Sequence, residues 1–377
     1  MYARRRILTA GAGAVLAGMT RGALAGPSSD IANRVARLQT ALDAEIAAKT
    51  MTGAAVCIDR AGEPFDVALG VDGEGSAFNG ATNIWMSSLT KPVTCAAALV
   101  LVDRGLLSLD APVETYLPAF ARRQVAPPEG LVPAERSPTI RDLMRHTAGF
   151  IYGEFGTTPL HQQYREARLM DPAISSAQFI ERLAGLPLAY QPGTTFEYSP
   201  GIDLLGCVIA AISGMSLSAF AEREFFKPLR LTSFNFGSDP NAFQSGGGGL
   251  HGTLSEYNRL LGALLFGGSL ISKGAIAEMT RNQLPADTVF PKGQRDLFGP
   301  LLPSPDQGCG YGFGVAVKTD PKLGMPGALG DVSWIGASGC YFWAYPAQKL
   351  VVAAAFAGAD TPTLVRMCAV LRQQVYG

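Results

Sequence analysis

The sequence predicts an α+β fold, in which an antiparallel sheet is flanked by helices and a helical domain is inserted into the sheet domain. Short β-rich runs occur near the start of the chain and again in its last third. From Ser88 to about Phe236 the apolar periodicity is mainly helical. Because strands from both ends of a chain can complete one sheet, the helices between them form an insertion. We therefore predict a sheet domain of residues 26–85 and 245–377 and a helical domain of residues 86–244.

Residues 1–25 predict an export signal. A basic start, Arg4-Arg5-Arg6, leads into an apolar stretch, and Ala23-Leu24-Ala25 has the pattern of a cleavage site. The paired arginines also match a twin-arginine signal, so we expect a periplasmic protein. An ordinary secretory signal and a wrongly assigned start codon remain open as alternatives.

The elements of the sheet domain follow from two periodicities. Ile31, Val35, Leu38, Leu42 and Ile46 recur at helical spacing. Two β-rich runs, 53–58 and 65–69, surround Arg60-Ala61-Gly62 and predict a hairpin. Later in the chain we predict helices at 202–212, 254–266 and 363–376, and strands at 312–317, 332–335, 340–345 and 350–356.

Composition favours a large core and a small uncharged substrate. The 377 residues are 47% hydrophobic and only 16% charged, and 31 basic side chains balance 31 acidic ones. This balance gives no indication of a nucleic-acid partner, and no apolar run after residue 25 reaches the roughly 18 residues of a membrane anchor. The six cysteines lack C-x-x-C spacing, so we expect no metal or redox pair. Cysteine pairing and oligomeric state stay open.

Ser88 and Lys91 are the first candidate catalytic residues. An apolar helix runs from near Ser88 to Gly105, and Pro92 fits only in its first turn. Residues three apart share a helical face, so the two side chains can meet. A serine at a helix start is favoured as an alkoxide, and a partly buried neutral lysine can take its proton. A capping serine beside a solvated lysine would have the same spacing.

Tyr198 and Ala337 are the candidates from two later segments. Tyr198 lies on a loop just before the predicted helix 202–212, and a phenol beside an ammonium ionises readily and can relay a proton. On the segment 333–339, the backbone N–H of Ala337 can join that of Ser88 as an oxyanion hole, with Gly336 allowing close approach of substrate. Taken singly, the two segments also fit a packed aromatic and a core strand.

In the order Ser88-x-x-Lys91, Tyr198-Ser199 and Trp334-Ile335-Gly336, the chain resembles class C β-lactamases, family VIII carboxylesterases and D-alanyl-D-alanine carboxypeptidases. Short sequence segments outside the motifs, at 105–110, 146–149, 192–199, 248–250 and 310–314, match the same family. The resemblance therefore covers nearly everything after residue 30. It implies a β-lactamase/transpeptidase-like α/β sandwich without cofactor or metal. It also implies Ser88 as nucleophile, Lys91 and Tyr198 as shared general base, and Ser88 with Ala337 as oxyanion hole.

Two departures point to the esterase branch of this family. Pro200 stands where β-lactamases have an asparagine, and Trp334 stands where their K-T-G lysine attracts the substrate carboxylate. Losing that charge-assisted bond costs about 1.5–3 kcal/mol. Lys318-Thr319-Asp320 lacks the glycine of K-T-G. We therefore expect Trp334, Gly336 and Pro200 to contact a neutral ester with a short or medium acyl chain.

Other functions remain open at this stage. A β-lactamase, a D-alanyl-D-alanine carboxypeptidase and an acyltransferase would use the same acyl-enzyme, and a binding or sensor protein can keep the pocket without turnover. A Ser-His-Asp hydrolase is a poor alternative because His146, His161 and His251 have no G-x-S-x-G partner.

Overall fold

The computed structural model of the protein describes residues 7–8, 27–237, 239 and 242–376. Apart from Ile7–Leu8, the predicted export signal lies outside the described residues. The strands are β1 Ile7–Leu8, β2 Gly53–Arg60, β3 Glu63–Gly70, β4 Asn83–Trp85, β5 Gln124–Val125, β6 Val132–Pro133, β7 His251–Thr253, β8 Cys309–Tyr311, β9 Ala316–Lys318, β10 Val332–Ile335, β11 Cys340–Tyr345 and β12 Leu350–Ala357.

Eight of these strands form one sheet in the order β1-β3-β2-β12-β11-β10-β9-β8. Every pairing in it is antiparallel except the short parallel pair β1–β3. Strand β4 pairs with β7 and β5 with β6 in two small separate sheets. The predicted antiparallel sheet flanked by helices is confirmed.

The helices are α1 Pro27–Ala47, α2 Thr90–Asp103, α3 Ile140–Met144, α4 Pro159–Glu166, α5 Ser176–Ala184, α6 Gly201–Ser213, α7 Leu217–Ala221, α8 Lys227–Leu229, α9 Leu254–Gly262, α10 Lys273–Thr280, α11 Lys292–Phe298 and α12 Thr361–Tyr376. Single π-helical turns at Glu222–Phe226 and Ala263–Gly267 follow α7 and α9. Helices α2 to α8 lie within residues 86–244, and the division into two domains stays a prediction.

The long sheet strands separate two apolar cores because successive side chains point to opposite faces. In β12, Val352 and Ala354 pack on the face covered by α1 and α12. Val351 and Ala353 point to the other face, into the larger core that includes α2, α6 and α9. The candidate site therefore lies on the side of the sheet that faces the helical segment.

The turns explain both a confirmed and a wrong prediction. Ala61 and Gly62, with φ of 55° and 91°, form the two-residue turn of the predicted β2–β3 hairpin. The single strand predicted at 312–317 is wrong, because the chain reverses there and β8 pairs with β9. Gly314 has a φ of 73°, and a Cβ at this position would lie 2.9 Å from the Lys91 carbonyl oxygen. The glycine thus lets this turn approach α2 closely.

Candidate active site

The candidate nucleophile, Ser88, is a half-buried residue in the 3₁₀ turn Ser87–Leu89, which leads directly into α2. Pro92 lies in the first turn of α2, where its missing N–H breaks no intrahelical bond. Gly105, with a φ of 69°, follows the end of the helix. The predicted helix and both of its ends are confirmed.

The Lys91 amine and the Tyr198 phenol both contact the Ser88 hydroxyl, as the sequence predicts. The Tyr198 hydroxyl donates to the Ser88 oxygen at 2.6 Å, and the Lys91 ammonium donates to the same atom at 3.2 Å. Lys91 is only 1% exposed, and its nitrogen lies 4.5 Å from the centre of the Tyr198 ring. Two donors aimed at one serine oxygen favour that oxygen as an anion.

Lys91 is a buried cation without a direct acidic partner. Within the described ranges, no carboxylate oxygen lies within 4.0 Å of its nitrogen. The nitrogen instead donates to the Gly247 carbonyl oxygen at 2.7 Å. The lysine is therefore hydrogen-bonded to the candidate nucleophile and to one backbone oxygen.

Asp203 holds the glycine-rich loop of residues 246–249, whose Gly247 carbonyl oxygen binds Lys91. Its carboxylate is fully buried and accepts hydrogen bonds from the Gly247 N–H at 3.0 Å, from the Tyr152 hydroxyl at 3.1 Å and from the Ser245 hydroxyl. A Cβ at Gly247 would lie 2.4 Å from this carboxylate, so only glycine fits there. The sequence reasoning missed Asp203, although a single charged residue in the apolar helix α6 is a usable signal.

Tyr198 is held in place by hydrogen bonds to its backbone and by packing against neighbouring aromatic rings. The Gln294 side chain on α11 accepts from the Tyr198 N–H at 2.9 Å and donates to its carbonyl oxygen at 3.0 Å. The rings of Tyr152 and Trp334 lie 5.5 Å from the Tyr198 ring, and that of His146 lies 4.8 Å away. Nothing in the sequence pattern indicates Gln294, because it is 96 residues away along the chain.

His146 has a packing role in this arrangement. Burial, and secondarily the charge of Lys91, lower the pKa of this imidazole well below its ordinary value, so the ring is neutral. Its Nδ1 lies 3.4 Å from the Ser199 hydroxyl, and no hydrogen bond to Ser88 occurs among the described residues. The Nδ1 of His161 is hydrogen-bonded to the Thr158 hydroxyl at 2.7 Å, and the Nδ1 of His251 lies 3.3 Å from the Gly249 carbonyl oxygen.

The two expected oxyanion-hole residues line one cleft. Ala337 lies in the turn between β10 and β11 and faces the same space as Ser88. In the part of the chain that the structure describes, the backbone N–H groups of Ser88 and Ala337 have no protein acceptor. The two N–H groups are therefore available to an oxyanion formed in this cleft.

The cleft has a volume of about 460 Å³ and largely apolar walls. These walls are formed by Trp85, Tyr152, Phe155, Met170, Pro172, Phe236 and Phe243. Trp85 is 48% exposed, and its indole nitrogen donates to the Gly248 carbonyl oxygen at 2.5 Å. Among the described lining residues, Lys91 is the one cation and Asp171 the one carboxylate. The cleft therefore suits an apolar, uncharged molecule.

Three residues expected to contact substrate do not line this cleft. Trp334 is 2% exposed and packs behind Tyr198, because β10 alternation points its ring into the core. Pro200 is buried as the cap of α6. Gly336 is buried, and a Cβ there would lie 2.3 Å from the Ser87 hydroxyl oxygen. The exposed indole of the cleft is that of Trp85, which the sequence reasoning missed.

Comparison with known proteins identifies the family. The family model described as Beta-lactamase matches residues 36–376. The chain belongs to this family. Esterase EstB from Burkholderia gladioli is 27% identical over 362 residues, which cover 83% of this chain and 87% of that protein.

Two solved structures show the same fold. The structure described as EstCE1, a hydrolase with promiscuous acyltransferase activity, gives a TM-score of 0.76 at 23% identity and covers 93% of this chain and 99% of its own. Unliganded simvastatin synthase (LovD) from Aspergillus terreus gives a TM-score of 0.74 at 19% identity, with 91% and 98% covered. The resemblance inferred from the motifs is confirmed, and the chain is a serine hydrolase of the β-lactamase fold with esterase and acyltransferase relatives.

Proposed function

We propose that this protein is a carboxylesterase that hydrolyses neutral esters of short to medium acyl chain through an acyl-enzyme on Ser88. The observation that carries the proposal is the Ser88 oxygen, which accepts from Tyr198 at 2.6 Å and from Lys91 at 3.2 Å within a largely apolar cleft. The relationship to an esterase over most of both chains supports the same activity.

In the proposed acylation, the Lys91–Tyr198 pair acts as a base after it has released one proton to solvent. The Ser88 oxygen then attacks the ester carbonyl carbon, and the Ser88 proton passes to the vacant site of the pair. The backbone N–H groups of Ser88 and Ala337 bind the oxyanion of the tetrahedral intermediate. When the ester C–O bond breaks, the pair returns the proton to the leaving alcohol. Water then adds to the acyl-enzyme by the same route, and the carboxylic acid leaves with Ser88 restored.

The charges of the cleft favour esters over β-lactams and D-alanyl-D-alanine peptides. Both of those classes carry a carboxylate near the reacting carbonyl. Among the described lining residues, Lys91 is the only cation and is already hydrogen-bonded to Ser88 and Gly247, while the one carboxylate, that of Asp171, is paired with Arg168 at 2.8 Å. A substrate carboxylate would lack a charge-assisted bond worth about 1.5–3 kcal/mol.

Replacement of Ser88 by alanine tests the nucleophile. We expect Ser88→Ala to lower turnover of p-nitrophenyl butyrate by roughly 10⁴-fold or more, with an unchanged circular dichroism spectrum. A fluorophosphonate should add to Ser88 in the unaltered protein, as located by peptide mass spectrometry. Turnover retained by the folded variant would refute the proposal.

Substrate panels separate the rival activities. A series of p-nitrophenyl esters from acetate to octanoate, with nitrocefin and a D-alanyl-D-alanine peptide beside it, should give the highest kcat/KM for a short or medium neutral ester. Faster turnover of nitrocefin or of the peptide would replace esterase by β-lactamase or peptidase. Ester exchange with an added alcohol that outpaces hydrolysis would indicate an acyltransferase. Labelling of Ser88 without turnover of any substrate would indicate a binding protein.

We also propose that residues 1–25 direct export through the twin-arginine route, on the strength of Arg4-Arg5 and the cleavage-site pattern at Ala23-Leu24-Ala25. Fractionation of cells that express the full chain should recover a shortened protein in the periplasm. Replacement of Arg4 and Arg5 by lysine should retain it in the cytoplasm. Continued export of the lysine variant would indicate an ordinary secretory signal.

A further inference from the structure

Ser87, directly before the candidate nucleophile, has a strained backbone and a buried side chain. Its φ of 44° lies in the left-handed region that residues with a Cβ rarely adopt. The residue is only 2% exposed, although it borders the cleft. Such strain persists only where surrounding contacts fix it, and it occurs most often at functional sites.

The Ser87 side chain binds the turn that carries Ala337. Its hydroxyl oxygen accepts from the Ser338 N–H at 3.3 Å and lies 3.1 Å from the Ser338 hydroxyl oxygen. These two residues are 251 positions apart in the chain. The contact therefore joins the peptide next to Ser88 to the peptide next to Ala337.

The turn is shaped around this contact. Gly336 donates its N–H to the Cys340 carbonyl oxygen at 2.7 Å, which closes the β10–β11 connection. A Cβ at Gly336 would lie 2.3 Å from the Ser87 hydroxyl oxygen, so glycine is required for the Ser87 side chain to reach Ser338. Ala337 lies between these two positions and lines the cleft.

The backbone of Ser87 is fixed on the helix side as well. Its carbonyl oxygen accepts from the Thr90 hydroxyl at 2.6 Å, and that hydroxyl oxygen accepts from the Leu250 N–H at 3.0 Å. The Met86 N–H donates to the Leu250 carbonyl oxygen at 2.8 Å. The left-handed residue is thus held, through Met86 and Thr90, against Leu250, which lies between the glycine-rich loop and β7.

We propose that Ser87 is a positioning residue that fixes both halves of the oxyanion hole relative to each other. Its backbone sets the direction of the Ser88 N–H, and its side chain sets the position of the Ala337 peptide through Ser338. The proposal rests on the proposed acyl-enzyme function, in which these two N–H groups bind the oxyanion.

Three variants test the contact: Ser87→Ala, Ser338→Ala and the double variant. Removing a donor from an oxyanion hole costs about 10²–10³-fold in kcat, so a displaced donor should cost about tenfold with KM within about twofold of the parent. Because Ser87 and Ser338 act through one contact, the double variant should be little slower than the slower single variant. The proposal would be overturned if kcat were unchanged in the single variants or if only KM changed. It would also be overturned if the loss of kcat in the double variant equalled the product of the two single losses.

A tetrahedral adduct measures the same geometry without turnover. Butylboronic acid adds to a catalytic serine and places one oxygen in the oxyanion hole, so its inhibition constant should rise about tenfold in Ser87→Ala and in Ser338→Ala. Ser333→Ala, on β10 but facing away from the site, is the matched control and should leave it unchanged.

The adduct also separates this proposal from the proposed function. Boronate binding that requires Ser88 but is equal in the parent and both single variants would overturn the role of Ser87 even if esters are cleaved. If Ser87→Ala does not fold, Ser338→Ala alone decides, because it keeps the left-handed residue intact. Absence of ester turnover by the parent, with the boronate differences present, would overturn only the esterase assignment.

Discussion

Two buried cations on opposite faces of the sheet differ in their partners. Arg372 of α12 is 4% exposed and donates to the Asp331 carboxylate at 3.0 Å, to the Pro326 carbonyl oxygen at 3.0 Å and to the Tyr341 hydroxyl. Lys91 is 1% exposed, and its acceptors among the described residues are a serine hydroxyl and a carbonyl oxygen. Arg372 has a buried counter-charge and does not line the cleft, whereas Lys91 is hydrogen-bonded to the proposed nucleophile, Ser88. Burial alone therefore does not identify the functional cation, and the partners do.

The largest expected effect is that of Lys91→Met. Methionine keeps most of the length of the side chain but removes the amine. We therefore expect kcat/KM for p-nitrophenyl butyrate to fall about 10⁴-fold, which is about 5.5 kcal/mol of activation free energy. Because the variant leaves no carboxylate of the described residues unpaired, the free energy of unfolding in urea should stay within about 1 kcal/mol of the parent. If Lys91→Met lost much stability but kept its activity, Lys91 would be a structural cation like Arg372.

Arg372→Met should show the opposite pattern. Removing one partner of a buried ion pair leaves Asp331 uncompensated and should cost about 3–5 kcal/mol in the free energy of unfolding. The kcat of the folded fraction should remain near that of the parent. Arg366→Met is the matched control on the same helix, since it breaks a partly exposed pair with Glu45 and a hydrogen bond to Thr363 and should change stability little.

The pH dependence of stability tests a buried acid next to Tyr198. Burial raises the pKa of Glu197 to about 8, and its Oε2 has no partner among the described residues. The folded protein therefore keeps a proton that the unfolded chain releases above about pH 4.5, so stability should fall as pH rises from about 4.5 to about 8, at most about 1.4 kcal/mol per pH unit.

Glu197→Gln removes the titrating group at nearly constant shape. In urea titrations between pH 5 and 9, the variant should lose this slope and exceed the stability of the parent at pH 9. Equal slopes in both proteins would show that another group causes the pH dependence.

The smallest expected effect is that of Asp203→Asn. The amide removes a charge and one acceptor from the loop that carries Gly247, so we expect kcat to fall about tenfold through a displaced Lys91. The pH profile of kcat should move as well, which loss of packing alone would not cause. Asp110→Asn removes an exposed partner of Arg141 and serves as the control. If Asp203→Asn has the kcat of the parent and the same pH profile of kcat, Asp203 does not position Lys91.

The sequence determined those features that depend on local periodicity and spacing. The hairpin at Ala61-Gly62, the helix α2 with its Pro92 start and Gly105 end, and the strands around residues 332–356 follow from turn chemistry and side-chain alternation. The first two motifs indicated the three residues that meet at the Ser88 oxygen, whereas Trp334 of the third motif lies in the core.

The tertiary structure alone decided the surroundings of these residues. Trp334 and Trp85 are both indoles near a motif, and only packing puts the first in the core and the second at the cleft. Asp203, Gln294 and Ser87 act through partners 44 to 251 residues away in the chain. Hydrogen bonds of this kind leave no periodic trace in a sequence, because their spacing depends on how distant segments pack and not on the local backbone.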